Sequence, residues 1–285
     1  MLKQFILALA VLCSLQGFSQ KNGDYTAVAK SITDEAYKLF YLERASWVGT
    51  DIMLATFDKD ELGNFSGYFS YKADDDHYTC LFFSRDKEPV ALFTATFDTS
   101  FSEKTVKVST AERELTPQEK DILAVRNKTL ELIKKDDLFV AYKNTNFNVV
   151  PMIDGSTKKA YVLTGTTESG ILILGNDYYI EFTDKLDVKE KKKIHQNIIT
   201  IPLEKQEGID PVGSVHNHQK ETGDYITATD VCTLMLYSVF VPSYETHIVM
   251  SDKAVSIWNY KTKSLTIISK KVFDKISKDQ SKRHK

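Results

Sequence analysis

The sequence has little of what marks several specialised classes of protein. Its 37 basic and 39 acidic residues leave a net charge of −2, which excludes the strongly basic surface by which nucleic-acid-binding proteins attract phosphates. Three cysteines are too few for a disulfide scaffold, and 12 glycines with 6 prolines are too few for a fibrous protein. A chain of 285 residues, 42% of them hydrophobic, must therefore be stabilised by an apolar core.

The chain also lacks an apolar run long enough to cross a membrane. Residues 5–13 are apolar throughout, but this stretch is well short of the ~20 residues that a membrane-spanning helix needs. It follows Lys3 and precedes a segment of small residues that ends at Ser19. A basic start, a short apolar stretch and a small-residue exit are typical of a secretory signal peptide. We expect residues 1–19 to be removed after Ser19, the mature protein to be periplasmic or secreted, and no membrane span to remain in it.

Cysteine usage agrees with export as a soluble chain rather than as a lipoprotein. Cys13 follows Leu12, whereas a lipoprotein signal has a small residue before its cysteine, so lipidation is not expected. The mature chain would keep Cys80 and Cys232 in a compartment where thiols can oxidise. The sequence does not decide whether these two cysteines pair.

The mature chain has the patterns of an α+β protein. Apolar residues at helical spacing predict an amphipathic helix over residues 25–41. Short aromatic and β-branched runs separated by turn residues then predict an antiparallel meander. Further strands are predicted in the second half of the chain. The predicted strands are 65–71, 78–84 and 90–97 in the first half, and 148–153, 160–164, 170–174 and 178–182 in the second.

A connecting helix is predicted to begin after Thr116. The threonine hydroxyl can cap the free amides, Pro117 suits the first helical position, and Glu119 can complete a capping box. We expect this helix to end near Lys135. No linker rich in glycine, proline or serine separates the halves, so we expect them to pack closely. The predicted domains are 20–137, of unassigned role, and 138–269, followed by a basic tail at 270–285.

One group of residues has the spacing of a metal site. His216 and His218 are two residues apart, so in a strand both side chains project from the same face. Asp230 opens the next helix and can supply a third ligand. Three protein ligands with an open fourth position are typical of catalytic zinc. Thr227 and Asp230 also match a capping box, so the spacing alone leaves a purely structural role for Asp230 open.

The other histidines are not expected at this site. His77 lies in a predicted turn, His284 lies in the tail, and His195 follows a run of lysines, where a surface position is expected. Cys232 stands two residues after Asp230, a spacing that turns it away from the ligand face of the helix. We expect Cys232 to be a buried helix residue instead.

The order of elements around the histidine pair resembles the JAB/MPN (JAMM) metallopeptidase family. The resemblance is carried by a Gly-Ser-Val-His-Asn-His strand, a polar loop, a Thr-x-x-Asp helix start and two later strands, and it covers residues 160–268. It implies a mixed sheet flanked by helices and one zinc ion held by His216, His218 and Asp230. The implied activity is hydrolysis of a peptide or isopeptide bond.

The same resemblance implies catalytic roles for further residues. It places Thr227 where the family has a serine that supports the oxyanion, and it implies a glutamate base on an earlier strand. Glu168 is the first candidate for this base and Glu181 the second. Eight residues separate His218 from Thr227, one more than in the family motif, and Gln219 replaces the proline often found after the second histidine. We expect these departures to affect catalysis more than metal binding.

The sequence leaves three functions open. The first is an exported zinc-dependent hydrolase acting on a peptide or protein. The second is a non-catalytic JAB/MPN-like binding module of the cell envelope with a structural or absent metal, which would apply if Glu168 cannot reach a water on the ion. The third is an interaction protein that binds through aromatic strand residues, although such residues are more often part of a core. These aromatic residues are Tyr68, Phe69, Tyr71, Phe82 and Phe83.

Overall fold

The structure is a computed structural model that describes residues 25–203 and 212–283. The predicted signal peptide at 1–19, with Cys13, and the tail histidine His284 lie outside the described residues. None of the helices within the described ranges has the length and apolar character needed to span a membrane.

Helices and strands contribute in similar measure, which confirms the α+β class. The α-helices in the described ranges are α1 (Thr26–Thr56), α2 (Pro117–Lys135), α3 (Ala228–Tyr237) and α4 (Lys270–Arg283). The described residues form two compact units. We call residues 36–203 the large unit, and residues 25–35 together with 212–283 the C-terminal unit.

The strands of the large unit pair in antiparallel fashion and include all those predicted for this region. The first sheet contains β1 (Phe65–Lys72), β2 (His77–Ser84), β3 (Val90–Asp98), β4 (Lys107–Ser109) and β5 (Arg113–Glu114). The next strands along the chain are β6 (Thr145–Asp154), β7 (Thr157–Thr166), β8 (Ile171–Gly175), β9 (Tyr178–Phe182), β10 (Val188–Lys193) and β11 (Ile198–Pro202). The order β10-β9-β7-β6 forms a second sheet, and β8 pairs with β11.

Helix α1 is much longer than predicted. The sequence pattern predicts its end at residue 41, but the helix continues to Thr56. Its later turns still bury apolar side chains, including Leu42, Val48 and Met53. The helix is longer because its apolar face continues past the point where its most regular spacing ends.

Helix α2 begins and ends as predicted. The Thr116 hydroxyl accepts a hydrogen bond of 3.3 Å from the Glu119 amide, and the Glu119 carboxylate accepts one of 2.8 Å from the Thr116 amide. This is the expected capping box. Ile122 on α2 joins the apolar cluster of the first sheet, and Val125 joins that of the second. The predicted domain boundary at residue 137 therefore falls inside the large unit, next to a helix that packs on both sheets.

The aromatic residues of the first sheet are mostly core residues. Phe69 and Phe83 belong to its apolar cluster, and Phe82 is also buried. Tyr68 and Tyr71 are only partly buried. Most of the aromatic surface on which an interaction protein would depend is therefore used to stabilise the fold.

The C-terminal unit contains a mixed sheet with a helical crossover. Its strands lie in the order β12 (Gly213–Asn217), β13 (Thr246–Met250), β14 (Ala254–Asn259) and β15 (Ser264–Ser269). Strands β12 and β13 are parallel and the other pairs are antiparallel. Parallel neighbours need a crossover connection, and α3 supplies it. This connection brings the carboxyl end of β12 and the amino end of α3 to the same edge of the sheet.

Candidate metal centre

The end of β12 directs two histidine side chains to one side of the sheet. His216 and His218 are both buried, whereas Asn217 between them is exposed. The two imidazole rings have centroids 4.9 Å apart. The His218 amide donates a 2.8 Å hydrogen bond to the carbonyl oxygen of Met250. Because this bond continues the pairing with β13, the alternation predicted from the sequence extends through His218.

The amino end of α3 holds the carboxylate of Asp230 in place. The Thr227 hydroxyl accepts a 3.0 Å hydrogen bond from the Asp230 amide, and Asp230 Oδ2 accepts from the Thr227 amide at 3.0 Å and from its hydroxyl at 2.9 Å. Asp230 is almost completely buried, with 1% of its surface exposed. Asp230 is therefore both a member of the capping box of α3 and a candidate metal ligand.

The three predicted ligands lie together in the C-terminal unit. His216, His218 and Asp230 each offer one ligand atom, and these atoms lie within 4.8 Å of one another. His218 Nε2 is 3.3 Å from Asp230 Oδ2. Two ligand atoms bound tetrahedrally at about 2.0–2.1 Å are about 3.4 Å apart, so this separation suits a shared ion. The cluster can hold a metal ion, and its donor set of imidazoles and carboxylate is one that zinc and several other transition metals accept.

His247 on β13 is a further member of the site that the sequence analysis missed. Its Nε2 atom lies 2.9 Å from His216 Nδ1, and its Nδ1 atom lies 2.7 Å from Ser214 Oγ. Burial, with a smaller contribution from His216, lowers the pKa of His247 to about 3, so its imidazole is neutral near pH 7. The position of His247 depends on the parallel pairing of β12 with β13, which no local motif reveals.

The predicted oxyanion residue already has a structural role. Thr227 is the N-cap of α3, and its hydroxyl contacts Asp230 and, at 2.9 Å, the hydroxyl of Thr229. These contacts orient the candidate ligand. The assignment of Thr227 to the oxyanion stays a prediction.

Both candidates for the general base belong to the large unit. Glu168 lies in the exposed turn between β7 and β8, where its carboxylate accepts a hydrogen bond from Asn144. Glu181 on β9 accepts hydrogen bonds from Lys189 at 2.5 Å and from Tyr179 at 3.0 Å, and these two contacts lower its pKa. The assignment of either glutamate as a base stays a prediction.

His195 does not lie on the surface, where its place after a run of lysines predicts it. It is buried, and its Nδ1 atom is 2.6 Å from the buried Asp177 Oδ1. A buried carboxylate is costly unless it is hydrogen-bonded, which explains the inward position of this histidine. His77 lies at the start of β2, partly exposed and in contact with Asp74. Cys232 is buried, as expected.

No family model, curated protein or solved structure matches this chain. The resemblance to the JAB/MPN family therefore stays a prediction from the sequence. It depends on the histidine pair on β12, the polar loop after it and the Thr-x-x-Asp start of α3.

Proposed function

We propose that this protein is an exported zinc-dependent hydrolase of the JAB/MPN type that cuts a peptide or isopeptide bond. The observation that supports this most directly is the convergence of His216, His218 and Asp230 in a buried site. Zinc with three protein ligands lowers the pKa of water and polarises a carbonyl group, which are the two requirements of amide hydrolysis. The apolar segment predicted to be a signal peptide supports export.

The chain prepares this site before any ion binds. Two hydrogen bonds from Thr227 fix Asp230 Oδ2, so little conformational freedom of the carboxylate is lost on ligation. In this proposal Glu168 accepts a proton from the attacking water and passes it to the leaving amine. Thr227 supports the oxyanion only by exchanging a hydrogen bond to Asp230 for one to the substrate, and we expect this to limit its contribution.

Metal content is the first test of the proposal. The mature chain, beginning at Gln20, should contain about one zinc ion per molecule by elemental analysis after purification without added metal. His218→Ala and Asp230→Asn should each lose most of it, and dialysis against a chelator followed by zinc should restore it in the wild type. His77→Ala is the matched control, because His77 lies in the large unit and contacts Asp74. A wild-type chain without zinc, or zinc content unchanged by His218→Ala, would contradict the proposal.

Cleavage is the second test. The zinc-loaded chain should cleave members of a peptide library or isopeptide-linked peptides, and His218→Ala should abolish the cleavage. Glu168→Gln should lower the rate by about 10²-fold or more if this residue is the base, whereas Glu181→Gln should leave it close to that of the wild type. Stoichiometric zinc without cleavage of either substrate class would instead identify a non-catalytic JAB/MPN-like binding module.

A further inference from the structure

A chain of hydrogen-bonding side chains leads from the candidate ligand His216 into the sheet. His247 lies between His216 and Ser214, at 2.9 Å and 2.7 Å respectively. Strands β12 and β13 are parallel, with Ser214 opposite His247 and His216 opposite Val249. Two side chains from one strand therefore contact the two ring nitrogens of a single imidazole on the next strand.

This imidazole is isolated from solvent. His247 is 0% exposed, and it lies in a sheet whose neighbouring strand also buries Ser256 and Trp258 completely. A buried neutral imidazole has one nitrogen that donates a hydrogen bond and one that accepts. The two contacts of His247 therefore have a defined direction, and one of two proton arrangements must apply.

The two arrangements differ in what they leave for a metal ion. In the first, His216 Nδ1–H donates to His247 Nε2, and His247 Nδ1–H donates to Ser214 Oγ. His216 Nε2 then carries a lone pair and can ligate. In the second, the Ser214 hydroxyl donates to His247 Nδ1, and His247 Nε2–H donates to His216 Nδ1. The proton of His216 would then sit on Nε2 and prevent ligation by that atom.

Ligation by His216 selects the first arrangement. His216 Nδ1 already lies 2.9 Å from His247 Nε2, so His216 Nε2 is the ring nitrogen left for an ion. That atom has a free lone pair only when the proton of His216 is on Nδ1. The proton of His247 is then on its own Nδ1 and is donated to Ser214 Oγ at 2.7 Å.

We propose that His247 is a positioning residue that holds His216 in the Nδ1–H tautomer and so directs His216 Nε2 to the metal ion. This inference rests on the metal site of the proposed function. Metal-ligating histidines commonly donate their second ring N–H to a carboxylate, a carbonyl oxygen or water. Here the acceptor is the neutral imidazole of His247. The hydrogen bond therefore fixes the tautomer and the ring orientation of His216 without adding negative charge beside the ion.

The test compares zinc affinity in variants of the mature chain by competition with a chromophoric chelator. His247→Leu replaces the imidazole with an apolar side chain of similar size and so removes the acceptor, and we expect it to weaken zinc binding by about 10–100-fold. His247→Gln keeps a hydrogen-bond acceptor and should recover much of that loss. His77→Ala is the control and should bind zinc as the wild type does.

A purely structural role would alter stability but not the tautomer, so the tautomer is measured directly. Long-range ¹⁵N–¹H NMR of the zinc-loaded wild type should show His216 protonated at Nδ1 and ligated through Nε2. Ligation through Nδ1 would overturn the inference even if the His247→Leu chain fails to fold. Affinity unchanged in a folded His247→Leu chain would overturn the positioning role alone. A wild-type chain that binds no zinc would instead overturn the proposed function and remove the basis of this inference.

Discussion

Asn148 Nδ2 donates a 2.5 Å hydrogen bond to Glu43 Oε2, although the two residues are 105 positions apart in the chain. Glu43 lies on α1 and is buried, and Asn148 lies on β6. Asn148 Oδ1 in turn accepts a 3.2 Å hydrogen bond from the Tyr68 hydroxyl on β1. A carboxyl group therefore connects a helix and both sheets inside the large unit, where the solvent that normally stabilises its charge is excluded.

Glu43 should make the protein less stable as the pH rises. Burial raises its pKa from 4.5 to about 7, so between these values the unfolded chain loses the proton while the folded chain keeps it. The free energy of unfolding should fall by about 3 kcal/mol across this range and stay low above it. Glu43→Gln cannot ionise, and its side-chain oxygen can still accept from Asn148. In urea titrations the variant should match the wild type near pH 4.5 and exceed its stability at pH 8.

The matched control for this prediction is Glu88→Gln, in the exposed turn before β3. It should change stability by less than about 0.5 kcal/mol at either pH. If Glu43→Gln shifts stability equally at both pH values, the carboxyl group does not change its ionisation between the folded and unfolded states in this range.

Glu119 should have the opposite pH dependence. Burial alone would raise its pKa, but hydrogen bonds from Arg113, from the Tyr71 hydroxyl and from the Thr116 amide lower it from 4.5 to about 2. Its contribution to stability is therefore complete above about pH 4.5 and is lost as the pH falls towards 2. Glu119→Gln should lower the free energy of unfolding at pH 7 by about 3 kcal/mol, with the difference disappearing near pH 2.

The neighbouring exposed residue Glu114 provides the control, since Glu114→Gln should have little effect on chemical denaturation at pH 7. If the free energy of unfolding of Glu119→Gln stays below that of the wild type by the same amount down to pH 2, the stability contributed by Glu119 comes from packing rather than from its charge.

Thr227 should affect both the helix and the metal site. Thr227→Ala removes the N-cap of α3 and the hydroxyl that holds Asp230 Oδ2, so we expect a loss of about 1 kcal/mol in thermal unfolding and weaker zinc binding. Thr227→Ser keeps the hydroxyl and should retain both properties. If Thr227→Ala binds zinc normally but loses cleavage, the hydroxyl acts on the substrate, as the family resemblance implies.

Gly49 should not tolerate a side chain. A Cβ atom there would lie 2.6 Å from the Cβ and 3.0 Å from the Sγ of Cys80 on β2. Within a helix, alanine is more favourable than glycine by about 1 kcal/mol. The steric overlap with Cys80 should outweigh this gain in helix propensity, so we expect Gly49→Ala to destabilise the protein by about 1–3 kcal/mol. Gly63→Ala is the control, because no atom lies within 4 Å of its added Cβ.

Adding Cys80→Gly to the Gly49→Ala chain removes the overlapping atoms and tests the cause. The double variant should lose less stability than the sum of the two single changes. If the two losses of stability are strictly additive in equilibrium unfolding, the Cβ atom added at position 49 does not overlap Cys80, and α1 and β2 lie further apart than in this structure.

Local patterns were sufficient for much of the fold. The capping boxes at Thr116 and Thr227, the meander that begins at β1 and the alternation of His216 with His218 all depend on residues a few positions apart. Such interactions act over one helical turn or one strand, so the sequence determined them without reference to the rest of the chain. For the same reason His216 and His218 could be predicted to share one face, whereas the full set of three candidate ligands was implied by the family resemblance.

Only the tertiary structure decided features that join distant segments. The burial of His195 depends on Asp177, which lies 18 positions earlier in the chain. The contact of His247 with His216 exists because β12 and β13 are parallel neighbours in one register. Pairing and burial depend on which surfaces meet after folding, and the free energy of a buried polar group is set by those partners rather than by its neighbours in sequence.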